Sequence, residues 1–163
     1  MRNIDVLRGI LEEFAAATGL ESLSLDENNC CSIAIGEDTV LHLCFKPEAG
    51  ALMLSGAVGV LPEDEETESD VMRFLLVSNL YGLETDGATL SLEPEGGIVV
   101  LHRDWGPDEA DGAALSREIQ RFAELLHHWQ NTYQSMLEES NDGVAPFEDF
   151  DEAESLPMHG LIA

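Results

Sequence analysis

Apolar side chains fall on two different periods along this 163-residue chain, and each change of period marks an element. Residues 4–18 carry Ile4, Leu7, Leu11, Phe14 and Thr18 at the 3-4-3-4 spacing of one helical face, with Val6, Ile10 and Ala17 widening the stripe. Asn3 is suited to cap that helix and Gly19 to stop it. The period then drops to two. SLSLDE (22–27), CCSIAIG (30–36) and TVLHLCF (39–45) alternate, with turns at Asn28 and Asn29 and at Glu37 and Asp38. ALMLSGAVGV (51–60) adds a strand after Pro47 and Gly50, and the short connections predict an antiparallel meander.

PEDEETESD (62–70) carries six acids and reads as a solvated loop, with Thr67 or Ser69 capping the helix that follows. In that helix, VMRFLLVSNLY (71–81), eight of eleven side chains are large and apolar and Arg73 is the single charge. A helix apolar nearly all round is buried nearly all round. No neighbouring layer is evident in the chain to cover its outer side, so a second copy is expected there in an isologous contact. TDG (85–87) is a turn, TLSLE (89–93) a strand, PEGG (94–97) a hairpin turn and IVVLH (98–102) the returning strand. A last helix, 113–139, carries Leu115, Ile119, Phe122, Leu126, Trp129, Tyr133 and Leu137 on one stripe and spans about 40 Å.

The order is α-β-β-β-α-β-β-α, with one early strand split, which predicts an α+β fold: an antiparallel, twisted sheet covered by helices. Residues 1–138 are expected to form the domain and 139–163 an acidic, mobile tail.

Charge narrows the partners. The chain has 33 acids against 7 bases, a formal net charge of -26, with Lys46 as its single lysine. There is no basic footprint for nucleic acid, and anionic membrane surfaces are disfavoured. A protein with basic segments would be steered toward this surface. The uncharged stretch 49–62 is too short for a bilayer crossing of about 20 residues, and the N-terminus does not read as a secretory signal, so a cytoplasmic location is expected. Cys30, Cys31 and Cys44 make an odd count without CxxC spacing; reduced thiols are expected rather than a disulfide framework.

Candidate chemistry is thin. There is no GxxxxGK[ST], and the glycines of GAVGV (56–60) read as strand bends or close backbone approach. Glu124, His127 and His128 read as a polar helix face rather than a metal site, and His42 and His102 as sheet histidines. No nucleophile–base constellation is visible, so neither catalysis nor a cofactor is expected.

The stretch LLVSNLYGLETDGATLSLEPEGGIVVL (75–101) resembles the class I chaperones of bacterial type III secretion. It holds a Leu-rich helix with an Asn (Leu75, Leu76, Asn79), a turn and an ATL-x-L strand (Gly87, Ala88, Thr89, Leu90, Leu92), an acidic hairpin and a returning apolar strand. The likeness in element order and acidity runs from about residue 4 to residue 138. It implies a homodimer that binds the N-terminal segment of a secreted effector in extended form, by apolar patches and edge-strand pairing. The effector is thereby kept soluble and secretion-competent without ATP. By the same resemblance Val71, Leu75, Leu76, Leu90 and Leu92 are candidates for the dimer interface. Leu7, Leu11, Leu23, Leu25, Ile33 and Ile35 are candidates for effector binding, and all of these side chains suit a core equally. The competing reading is an acidic inhibitor or nucleic-acid mimic that holds a basic partner by salt-sensitive contacts.

Overall fold

Alternation along the strands sorts their side chains onto two faces, of which one is covered. The computed structural model describes residues 4–20, 23–36, 39–106 and 111–141. Helix α1 (Ile4–Thr18) leads to strands β1 (Cys30–Ile35), β2 (Thr39–Lys46) and β3 (Ala51–Val60). Helix α2 (Glu65–Ser78), a 3-10 turn (Leu80–Gly82), strands β4 (Thr89–Glu93) and β5 (Ile98–Trp105) and helix α3 (Gly112–Asn141) follow. The expected α+β order is observed, and every strand pairing is antiparallel. The meander breaks after β3, because α2 carries the chain past the next position. β3 pairs with β5, β4 lies outside it, and the sheet order is β1-β2-β3-β5-β4.

Leu41, Leu43, Leu52, Leu54, Val99 and Leu101 form the covered face and are fully buried. Helices α1 and α3 pack against each other, and α3 crosses β3. The crossing needs the two glycines of that strand: a Cβ at Gly56 would run into Leu126, and one at Gly59 into the Tyr133 ring. Tyr133 then donates its hydroxyl to the Val60 carbonyl at 2.9 Å, beside a register shift between Ala57 and Gly59. On the opposite face Ser32, Ala34, Val40, His42 and Ala57 are exposed. The α3 stripe is buried from Leu115 to Met136, while in α1 the stripe is narrower than its spacing implied: Val6 and Ala17 stand outside and Ala15 is buried.

Three local expectations are corrected. The alternating run at 22–27 joins no sheet over 23–26, because Asp26 closes a turn instead. Its carboxylate accepts from the Asn28 and Cys30 amides, each at 2.8 Å, while its own N–H donates to the Cys30 carbonyl. The acidic stretch 62–70 is not all loop: α2 starts at Glu65, capped by Asp64 rather than Thr67 or Ser69. Asp64 accepts from the Thr67 amide at 2.9 Å and its hydroxyl at 2.7 Å, and three acids in the first turn suit the helix dipole.

The cysteines are the third correction. Cys30 lies opposite Cys44 in the β1–β2 register, with Cα atoms 4.1 Å apart, and the two are disulfide-bonded. Cys31 points to the other face and is free; burial, and then the charge of Asp26, push its thiol up to about 11. Helix α3 continues through residues 139–141, and the rest of the expected tail lies outside the described residues.

Candidate functional site

A sheet of this order has two edges, β1 and β4, and they differ. Asn79, just beyond α2, closes the β4 edge at Leu90 by donating its Nδ2 to the Leu90 carbonyl and accepting the Leu90 N–H, both at 2.8 Å. Among the described residues no strand pairs with the outer side of β1. The 4.1 Å separation of Cys30 and Cys44 marks the close, non-hydrogen-bonded type of antiparallel pair, so residues of that parity aim their N–H and C=O groups away from β2. Those of Cys30 are taken by Asp26. The outward groups of Ser32 and Ala34 have no backbone partner among the described residues.

Beside this edge lies an apolar cleft of about 500 Å³, which reaches β1 through Ile35 and is walled by Phe14 of α1 and Ile119 and Ala123 of α3. It lies between the faces that α1 and α3 turn toward each other and the last residue of β1. Thr18 also lines the cleft, but its hydroxyl is turned back to the Phe14 carbonyl at 2.8 Å. Gln120, Glu124 and His127 are the larger polar side chains around it. Among the described residues no group of three or more His, Cys, Asp or Glu side chains is placed to hold a metal ion. None of their helices is long and apolar enough to cross a membrane.

A second apolar surface covers the outer side of α2. That helix buries Val71, Leu75 and Ser78, and the Phe74 ring meets Trp129 of α3 at a centroid distance of 6.0 Å. Leu76, Tyr81 and Leu83 are 74%, 78% and 79% exposed, and Val77 and Leu80 lie beside them. Tyr81 holds a left-handed φ of 58°, uncommon for a residue with a Cβ. Asn79 on one side and the fully buried Thr85 on the other fix this knuckle; Thr85 donates its hydroxyl to the Ala88 carbonyl at 2.6 Å.

The structure distributes the candidate residues unevenly. Of the dimer set, Val71, Leu75 and Leu90 lie in the core, Leu92 is half-buried against it, and Leu76 stands open. Of the effector set, Leu7, Leu11 and Ile33 are core, while Leu23, Leu25 and Ile35 are half-buried, Ile35 facing the cleft. Tyr81 and Leu83 were not among the candidates, although the apolar run visibly continues past the helix stop. Phe14, Ile119 and Ala123 carried no signal of their own, since a stripe lining a cleft has the same spacing as one that is fully packed.

Comparison with known proteins agrees with this architecture. The chain is 28% identical over 126 residues to a protein of Chlamydia pneumoniae, covering 76% of this chain and 93% of that one. It is 31% identical over 111 residues to the Tir chaperone of Escherichia coli O157:H7, covering 68% and 69%. The fold is shared with the ExsC–ExsE complex at a TM-score of 0.67 and 23% identity, over 80% of this chain and 96% of the matched one. Residues 9–130 match the model of the Tir chaperone protein (CesT) family, and the chain therefore belongs to that family of type III secretion chaperones.

Proposed function

We propose that this protein is a cytoplasmic, ATP-independent chaperone that works as a homodimer and holds the N-terminal segment of a secreted effector in extended form. The observation that carries the reading is the juxtaposition of an unpaired β1 edge and an apolar cleft beside it. An added strand gains main-chain hydrogen bonds at Ser32 and Ala34, and its alternate side chains reach the cleft past Ile35. Family membership supports the reading, and the relative from Escherichia coli is itself a chaperone of Tir.

Homodimer formation is supported by the open apolar side of α2, where burial of each large side chain contributes about 1.5–3 kcal/mol. The net charge of -26 keeps a protein with two exposed apolar surfaces soluble and suits a client with basic segments. Nothing in the proposed task calls for bond-making chemistry: binding free energy alone holds the client.

The test is Ser32→Pro in the protein purified from its own host with its bound client. Proline at an outward-facing edge position removes the N–H offered to an incoming strand while leaving the β1–β2 ladder intact. The expected result is an unchanged fold and oligomeric state with at least a tenfold loss of client binding. Unchanged binding by Ser32→Pro, together with dissociation by moderate salt, would favour the acidic-inhibitor reading instead.

A further inference from the structure

Cys30 and Cys44 are the one cross-strand pair on the uncovered face of the β1–β2 hairpin whose side chains can join covalently, and they sit where β1 begins. We propose that they form a reversible thiol–disulfide pair that sets how firmly the β1 edge is held. Both are partly exposed on a sheet face that no helix covers among the described residues, so a small-molecule disulfide can reach them. Cys31, their neighbour, does not compete. Alternation turns it to the helix-covered face, where it packs against the core, and its thiol is pushed up to about 11.

The chemistry is ordinary exchange. One protein thiol gives up its proton and its thiolate attacks a sulfur of a low-molecular-weight disulfide, releasing one thiolate of that oxidant. The second protein thiolate then attacks the mixed disulfide and releases the other. Two protein thiols are oxidised by two electrons, one small disulfide is reduced to two thiols, and both protons pass to the released thiolates. Excess small dithiol reverses the sequence.

Its consequence follows from position. An edge strand has ladder partners on one side, and such strands open before central ones. Cys30 and Cys44 are 14 residues apart, and closing a loop of that length lowers the population of an opened hairpin by up to roughly a hundredfold. In the oxidised chain the outward groups of Ser32 and Ala34 are presented on a fixed strand; in the reduced chain they are presented on a fraying one. Any effect on client affinity rests on the strand-addition reading above, whereas the bond and its effect on β1 do not.

The experiment therefore uses the full chain without a client, treated with oxidised glutathione or with dithiothreitol. After oxidation the mass is expected to be lighter by two hydrogens, with one alkylatable thiol against three in the reduced chain. Amide exchange at Cys31 and Ile33, whose N–H groups point toward β2, should slow on oxidation by roughly ten- to a hundredfold. The Cys31→Ser variant should keep that difference, and Cys30→Ser with Cys44→Ser should abolish it. Three alkylatable thiols after oxidation, glutathione adducts without an internal bond, or equal exchange in the two states would each overturn the proposal. All of these are read on the unsubstituted chain, so they stand even where a variant folds poorly, and none depends on whether a strand is added to β1.

Discussion

Asn79 and Leu90 are joined at both ends of one amide: the side-chain Nδ2 donates to the Leu90 carbonyl and the Leu90 N–H donates to the Asn79 Oδ1, each at 2.8 Å. The side chain does for strand β4 what a further strand would do, and it ties the end of α2 to the sheet. Asn79→Ala leaves both partly buried backbone groups unpaired. The expected cost is about 1–3 kcal/mol, read as a lower urea midpoint with an unchanged slope. Since the same bonds position the Tyr81 knuckle, weaker dimerisation by light scattering should accompany the loss of stability.

The outer side of α2 predicts a separation of fold from assembly. Leu76 is 74% exposed and Leu80 57%, so Leu76→Asp and Leu80→Asp should change chain stability by less than about 0.5 kcal/mol. Each should weaken the proposed dimer by at least roughly tenfold, since burying a leucine is worth about 1.5–3 kcal/mol. Light scattering across micromolar concentrations reads the mass. A chain that is monomeric before substitution would remove the dimer proposal.

Close approach of α3 to β3 predicts opposite signs for three glycine substitutions. At Gly56 a new methyl group meets the fully buried Leu126, and at Gly59 it meets a Tyr133 ring anchored by its bond to Val60. Gly56→Ala and Gly59→Ala should each destabilise by about 1–3 kcal/mol through overpacking. Gly9, inside α1, has open space where its Cβ would stand, so Gly9→Ala should stabilise by about 0.5–1 kcal/mol. Denaturant unfolding of the three variants distinguishes these outcomes.

Acid should weaken α2 through its cap. The Thr67 backbone amide, followed by the Thr67 hydroxyl, holds the Asp64 carboxyl below its usual value of 3.8. A depressed carboxylate pKa means a stabilising contribution that is present above the unfolded value, near pH 3.8, and fades as pH falls through the lower folded value. Asp64→Ala should therefore lower the thermal midpoint at neutral pH, with the difference from the parent shrinking below pH 3.8. Midpoints followed by circular dichroism from pH 7 to pH 2 test the sign.

Much of the fold was legible in the chain because periodicity is a local property. The stripe from Leu115 to Tyr133, the alternation of Leu41, Leu43 and Phe45, and the glycines at 56 and 59 each declared an element or a close approach. Capping was less legible: Thr67 and Asp64 are both good caps by residue type, and the geometry of one hydrogen bond chose between them. The Cys30–Cys44 pair carried a faint signal, since the two lie seven residues either side of position 37, between two alternating runs of sequence.

The sequence by itself determined the order of the principal helices and strands, the acidity that limits partners, and a family resemblance that the family match confirms. Tertiary structure alone decided what those apolar residues face. Leu75 and Leu76 are adjacent leucines on one helix, yet one is sealed against the core and the other is open, because burial depends on which way each faces and where the neighbouring layer ends. Sheet order was likewise undetermined: pairing β3 with β5 is what makes β1 and β4 the edges, and a side chain eleven residues upstream closes one of them at Leu90. Local spacing fixes the face a residue occupies on its own element, and contacts distant in sequence fix whether that face meets protein or solvent.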